Sequence, residues 1–135
     1  MNDIGKKNIL FGLVYFLATL GLGIFLGNKL GAGQEWMQSK AHHLLKAAHT
    51  HGNAEALINI LLGLVIAFYG SETIKLTKAV SILLIVGAVF HSGTLYLGGM
   101  GLSIAMKFTP IGGISLVLAM LLSIPMVLAG YKASK

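Results

Sequence analysis

Four long apolar stretches divide this chain of 135 residues, and they cover residues 9–27, 54–70, 79–97 and 111–131. Because an α-helix rises about 1.5 Å per residue, a stretch of about 19 residues spans roughly 28 Å, close to the thickness of the hydrocarbon core of a bilayer. The pattern predicts an all-α integral membrane protein, a four-transmembrane-helix bundle that forms a single membrane domain over residues 1–135. The predicted helices cover approximately residues 8–28, 46–70, 79–98 and 110–132.

The composition excludes several classes of protein. Charged residues make up only 10% of the chain, whereas a soluble domain usually carries about 25%. The absence of cysteine excludes disulfides, zinc–thiolate sites and iron–sulfur clusters. All ten basic residues are lysines, and they lie at the edges of the apolar stretches rather than in the arginine-containing basic stripe of a nucleic-acid binder. We therefore expect a lipid bilayer, and no nucleic acid, among the partners.

The lysines also predict an orientation. Four spans place both termini on one side of the membrane, and six lysines fall on that side: Lys6, Lys7, Lys75, Lys78, Lys132 and Lys135. The opposite side holds four: Lys29, Lys40, Lys46 and Lys107. Positive residues concentrate on the cytoplasmic side of membrane proteins, so this bias favours a multi-pass protein of the cell inner membrane with both termini in the cytoplasm.

Glycines on the predicted helices indicate close packing. Gly23 and Gly27 form a G-x-x-x-G pair, a spacing that lets membrane helices approach closely within one protomer or between protomers. A bundle of this size has little interior, so a site for a sizeable ligand is built more easily between protomers. The sequence thus favours a homo-oligomer.

Polar residues inside the apolar stretches point to a site. His51, Glu55 and Asn59 are spaced by four residues, so they share one face of the second predicted helix. His91 and Tyr96 interrupt the third stretch. Helical rise places Asn59 and His91 roughly 17–18 Å from the cytoplasmic ends of their helices, Glu55 roughly 22 Å and Tyr96 roughly 26 Å, so these polar groups form one layer in the outer half of the membrane. Polar groups at this depth are expensive and normally face a partner or a cavity.

Histidines without cysteine suit haem iron, zinc or copper. His49 and His51 lie at the start of the second apolar stretch and are candidate ligands, while Glu55 is placed to orient a histidine by accepting its ring N–H. His91 is either a functional residue or a helix–helix hydrogen-bonding group. The cofactor-binding candidates are therefore His49, His51, His91 and Glu55.

Short segments resemble the small four-span isomerase group that contains styrene oxide isomerase and hydroxylaminobenzene mutase. The segment K-A-A-H-T-H-G-N-A-E-A-L-I-N at residues 46–59 resembles the family's second helix, with an A-H pair and a later apolar–Asn step. The segments G-T-L-Y-L at residues 93–97 and A-G-Y-K-A-S-K at residues 129–135 are also similar. The resemblance is spread over most of the second to fourth helices.

This resemblance implies a homotrimer with haem b near the protomer interfaces. It implies a ferric iron that acts as a Lewis acid on a small apolar substrate of the epoxide or hydroxylamine class, assisted by an asparagine and a tyrosine. Carried onto this sequence, Asn59 and Tyr96 are the catalytic residues. His49 keeps the family's A-H pair and is the expected iron ligand, with His51 as the alternative.

Two other functions remain open at the level of sequence. A small cytochrome b for electron transfer would use His91 as a second axial ligand, and a cofactor-free accessory membrane subunit would need no ligand at all. A visible spectrum of the purified protein separates the three functions. Lewis-acid catalysis requires an open coordination position on the metal, so it predicts a high-spin ferric spectrum that shifts with small ligands. Electron transfer predicts a low-spin spectrum that does not respond to ligands, and an accessory subunit predicts a colourless protein.

Overall fold

The structure is a computed structural model that describes residues 3–70 and 73–133. Every regular element among these residues is helical. The elements are α1 (Asp3–Asn28), α2 (Gln34–Gln38), α3 (Lys40–Tyr69), α4 (Ile74–Phe90), α5 (Ser92–Gly99), a 3₁₀ helix (Ser103–Phe108) and α6 (Thr109–Ala133). Four helical segments are long and apolar enough to cross a membrane: Asp3–Asn28, Lys40–Tyr69, Ile74–Gly99 and Ser103–Ala133. The prediction of an all-α chain with four helices long and apolar enough to span a membrane is therefore confirmed for the described residues.

Three of the membrane helices begin earlier than the sequence predicted. α1 begins at Asp3 instead of residue 8, α3 begins at Lys40 instead of residue 46, and the third span begins at Ile74 instead of residue 79. Ser39 caps α3, and its hydroxyl accepts a hydrogen bond of 3.1 Å from the backbone N–H of His42. Apolar stretches mark only the part of a helix inside the hydrocarbon, so the polar turns at the helix ends lie outside them; for α3, a start between Ser39 and Ala48, before its apolar part, was expected. Residues 1, 2, 71, 72, 134 and 135, including Lys135, lie outside the described residues.

The third span is interrupted once, at His91. α4 ends at Phe90 and α5 begins at Ser92, although the N–H of His91 still donates to the carbonyl of Gly87 at 2.9 Å. Gly112 of α6 packs directly on this junction, where a Cβ atom would collide with the backbone of Phe90 and His91. The interruption therefore coincides with a close helix–helix contact that only glycine permits.

Glycines also bring α1 against α3. A Cβ atom at Gly12 would lie 2.7 Å from the carbonyl oxygen of Ala56, and one at Gly63 would lie 3.0 Å from that of Gly5. α4 packs along α6, and the apolar core between α3, α4 and α6 contains Ile66, Val80, Leu84, Ala119 and Met126. Large apolar side chains elsewhere, such as Leu17 and Phe68, are exposed on the outside of the bundle, as expected for a surface that faces lipid.

Candidate functional site

A buried carboxylate connects three helices. The side chain of Glu55 is only 4% exposed, and its Oε1 lies 2.5 Å from Nδ1 of His91. Ser92, at the first position of α5, donates its hydroxyl hydrogen to the other carboxylate oxygen, Oε2. The sequence predicted that Glu55 would accept the ring N–H of a histidine, and the structure shows that this histidine is His91.

The hydrogen bonds continue from Ser92 to α1. The hydroxyl oxygens of Ser92 and Tyr15 lie 2.7 Å apart, and the Tyr15 hydroxyl also lies within 3.0 Å of the carbonyl oxygen of Ala88. We call Tyr15, Ser92, Glu55 and His91 the Glu55 chain. It runs from a half-buried tyrosine on α1 to a histidine whose side chain is 24% exposed. The position of His91 at the break between α4 and α5 places its ring and the Ser92 hydroxyl on the same carboxylate.

His51 contacts His91 at the end of this chain. The two ring centroids are 4.8 Å apart with an interplanar angle of 69°, and His51 is exposed. Metal–imidazole bonds are about 2 Å long, so two histidines on opposite faces of one haem would hold their ring centroids roughly 6 Å apart. No macrocycle fits between rings in this contact. The geometry therefore gives no support to His51 and His91 as a bis-histidine haem pair.

His49 lies on a different side of α3 and is held by α1. Its Nδ1 lies 2.8 Å from the carbonyl oxygen of Thr19. A carbonyl oxygen only accepts, so Nδ1 carries the hydrogen and Nε2 carries the lone pair. The amide nitrogen of Asn53 is 3.5 Å from Nδ1 and 3.4 Å from Nε2, which places it over the ring face and not along the Nε2 lone pair. Gly23 makes room for the ring, because a Cβ atom there would lie 2.5 Å from Cε1 of His49.

This ring borders a cleft of about 210 Å³, which we call the His49 cleft. Its walls come from α1, α2 and α3, and consist of Leu26, Gly27, Leu30, Met37, His42, Lys46 and His49. His42 is 6% exposed, and its Nδ1 is buried without a hydrogen-bond partner in the described structure. The cleft thus combines apolar walls with imidazole nitrogens and one lysine.

Two adjoining hollows between α1, α3 and α5 form a groove that we call the α1–α5 groove. Their volumes are about 200 Å³ and about 470 Å³, and they share Ala18, Leu22 and Tyr96. Tyr15 and Ser92 of the Glu55 chain line the smaller hollow. The groove has no residue in common with the His49 cleft, so the structure does not bring His49 and Tyr96 to one site within a single chain.

Asn59 lies in neither opening. It is fully buried, and its amide nitrogen donates to the carbonyl oxygens of Glu55 at 3.0 Å and Leu84 at 3.2 Å. Its side-chain oxygen accepts from the amide of Asn8 at 3.0 Å, and Ser81 donates to the Asn8 oxygen. We call Asn8, Asn59 and Ser81 the Asn59 cluster. The structure therefore gives Asn59 helix-packing contacts and does not place it where a substrate binds.

Sequence analysis missed Tyr15, Thr19 and Asn8. These three polar residues fall on one face of α1, at spacings of about two and three helical turns, within an otherwise apolar stretch. That periodicity was the available signal, and it identifies the side of α1 that packs on the polar face of α3. In the described part of the chain, no group of three or more His, Asp or Glu side chains has a geometry that would hold a metal ion.

No protein-family model, curated protein or solved structure matches this chain.

Proposed function

We propose that this chain is an integral-membrane haem b protein of the isomerase-like kind, with His49 as the axial ligand of the iron. The observation that carries the proposal is the hydrogen bond from Nδ1 of His49 to the Thr19 carbonyl. Metal-bound histidines commonly donate their second ring nitrogen to a backbone carbonyl or carboxylate, which fixes the tautomer and aims the other nitrogen at the metal. In the described structure His49 is held in this way by a backbone carbonyl of α1 and His91 by the Glu55 carboxylate, and of the two His49 is the one that borders the His49 cleft.

The surroundings of His49 fit part of a haem. Leu26 and Leu30 supply apolar walls, and Lys46 supplies a cation suited to a propionate group. Pockets for ligands of drug size are about 300 Å³ or larger, so a cleft of about 210 Å³ encloses only one side of the macrocycle. The other side then lies against lipid or a second copy of the chain.

A second copy would also complete the site. A head-to-tail interface joins two different surfaces and closes into a ring when the rotation allows it. In such a ring, the His49 cleft of one protomer faces the α1–α5 groove of the next, which contains Tyr96. A closed ring of this kind is compatible with the proposed homotrimer, and it would bring together His49 and Tyr96, which are separated within one chain.

When bound, ferric haem supplies a Lewis acid for the isomerisation of a small apolar substrate such as an epoxide or an arylhydroxylamine. His49 holds the group, and Tyr96 orients the polar atom of the substrate from the neighbouring groove. We assign Asn59 a positioning role in place of substrate contact, because its amide joins α1, α3 and α4. It fixes the rotation of α3 and thereby the direction of the His49 ring.

The experiment is a visible spectrum of the protein in lipid nanodiscs after loading with haem. We expect a high-spin ferric spectrum that shifts on addition of cyanide, with bound haem lost in His49→Ala and retained in His43→Ala. His43 is exposed on the same helix and is the matched control. Equal haem content in both variants contradicts the ligand assignment. A low-spin spectrum that does not respond to cyanide favours electron transfer, and a colourless protein favours an accessory subunit.

The proposed orientation has its own test. The chain has no cysteine, so single cysteines can be introduced and labelled with a membrane-impermeant maleimide in intact cells. With both termini in the cytoplasm, Lys29→Cys is labelled in intact cells and Lys7→Cys is labelled only after the membrane is opened. The reverse pattern would place the termini outside.

A further inference from the structure

We infer that the α1–α5 groove binds a small apolar molecule that carries a hydroxyl group, and that Tyr15 and Ser92 pass the hydroxyl proton of this ligand to Glu55. The inference does not depend on haem, because the groove and the His49 cleft share no residue. Its ligand class is that of phenols and apolar alcohols.

The groove selects the size and polarity of the ligand. The smaller hollow, of about 200 Å³, accommodates a molecule with one ring, and its walls include Ala18, Leu22 and Ala48. Residues that carry hydroxyl groups also line this hollow: Tyr15, Thr19, Ser92 and Tyr96. An apolar ligand in such a site gains the most from one polar atom placed opposite these hydroxyls.

The hydrogen bonds of the Glu55 chain provide a route for a proton from the groove to the Glu55 carboxylate. Ser92 donates its hydrogen to Oε2 of Glu55, so its own oxygen can accept from the Tyr15 hydroxyl at 2.7 Å, and the Tyr15 hydrogen is shared between Ser92 and the Ala88 carbonyl at 3.0 Å. The oxygen of Tyr15 keeps lone pairs for a further donor. Glycine at position 93 leaves that oxygen uncovered, since a Cβ atom there would lie in contact with it at 3.5 Å.

The proton balance of the step is simple. The ligand hydroxyl gives its proton to the Tyr15 oxygen, Tyr15 gives its own to the Ser92 oxygen, and Ser92 gives its own to Oε2 of Glu55. The ligand becomes an oxyanion, Glu55 becomes a carboxylic acid, and no other bond changes.

Three titratable groups face Glu55 or its neighbour in the chain. They are Tyr15 on α1, His91 at the junction of α4 and α5, and His51 on α3 itself. His91 occupies Oε1 of the carboxylate and so leaves Oε2 for Ser92. His51 is exposed, and the side chain of His91 is 24% exposed.

The test uses 4-nitrophenol, whose phenolate has a red-shifted absorption, with the protein in zwitterionic nanodiscs and empty nanodiscs as the blank. At a pH where free 4-nitrophenol is mostly neutral, we expect the bound probe to show the phenolate band. 4-Nitroanisole has no hydroxyl hydrogen, and it should compete for the groove without any such change. The same measurement on His49→Ala removes iron as the cause of the phenolate.

Two pairs of variants decide the outcome. Ser92→Ala should bind the probe within a few-fold of the parent affinity but lose the phenolate band, whereas Ser123→Ala, a buried serine bonded to its own helix at Met120, should keep it.

Gly93→Ala should weaken binding at least tenfold, because the added methyl covers the Tyr15 hydroxyl at ordinary contact distance. Gly113→Ala, where a Cβ atom meets nothing within 4 Å, should have no effect.

A phenolate band of unchanged size in Ser92→Ala would overturn the relay, and unchanged affinity in Gly93→Ala would overturn the location. A thermal unfolding curve of each variant checks that its fold is intact. Absence of any probe binding above the empty-nanodisc blank would overturn the inference as a whole, while leaving the haem proposal untouched.

Discussion

The Glu55 chain and the Asn59 cluster are two sets of hydrogen-bonded polar side chains in the same bundle, but only the Glu55 chain reaches an opening and a partly exposed residue at its ends. Both join α1 to α3 and to the third span through side-chain hydrogen bonds. Asn8 and Asn59 are 0% exposed, and hydrogen bonds within the bundle occupy both their amide nitrogens and their oxygens. The Glu55 chain instead runs from a groove at Tyr15 to a partly exposed ring at His91.

The difference separates structural from chemical use of buried polar groups. A closed set of hydrogen bonds in a low-dielectric interior fixes how helices rotate against one another, and it has no free donor or acceptor for a ligand. A set whose end members reach the surface or a groove holds its members in place and still has a polar atom at each end that can bind a ligand or water. Disruption should therefore cost mostly stability in the Asn59 cluster and mostly function in the Glu55 chain.

Asn59→Leu should give the largest loss of stability. It removes hydrogen bonds to Asn8 and to the Leu84 carbonyl and leaves the Asn8 amide with one partner fewer, which costs about 2 kcal/mol. The measurement is SDS-induced unfolding of the purified protein, followed by circular dichroism. Folded Asn59→Leu should still ionise 4-nitrophenol. A loss no larger than that of Ser123→Ala would show that the cluster does not hold the helices.

Glu55→Gln should have an intermediate effect on stability. Ser92 and His91 both direct hydrogens at the carboxylate, and an amide has only one oxygen to accept them, so one bond is lost at a cost of about 1 kcal/mol. The same unfolding assay measures the loss, and the phenolate band of bound 4-nitrophenol should disappear. A folded variant that keeps the band would show that Glu55 is not the final acceptor.

Tyr15→Phe should change stability least, by about 0.5 kcal/mol, because Ser92 keeps its bond to Glu55, and the Ala88 carbonyl that loses the Tyr15 hydroxyl still lies 3.3 Å from the Ser92 hydroxyl. Its functional effect should nevertheless match that of Glu55→Gln, with loss of the phenolate band. Both properties are measured on one preparation, by SDS unfolding and by the probe spectrum. If Tyr15→Phe were as destabilising as Asn59→Leu, the distinction between an open and a closed set would fail.

Depth along the helices was predictable, but partners were not. Helical rise placed Asn59, Glu55 and His91 in one layer, and the pairing of Glu55 with His91 agrees with it. Asn59 instead bonds to Asn8, which the sequence had put at the very start of the first helix. Because α1 begins at Asp3, Asn8 lies inside the bundle and not at its edge.

The shared face of His51, Glu55 and Asn59 was also only partly informative. Periodicity placed these residues on one side of α3, yet Glu55 and Asn59 are buried while His51 is exposed. The reason is that different parts of the third span pack against the two ends of this face of α3. Near His51 the neighbouring chain is the break at His91, and near Asn59 it is the continuous helix α4.

The sequence alone determined that the chain forms four helices long and apolar enough to span a membrane, because hydropathy and length act along one helix at a time. It also determined which residue types lie at depth. Only the tertiary structure decided which of them meet, since that depends on how far each helix is rotated about its axis. Contacts such as Gly12 against Ala56 and Gly112 against His91 set these rotations through packing between distant segments, which no local pattern encodes.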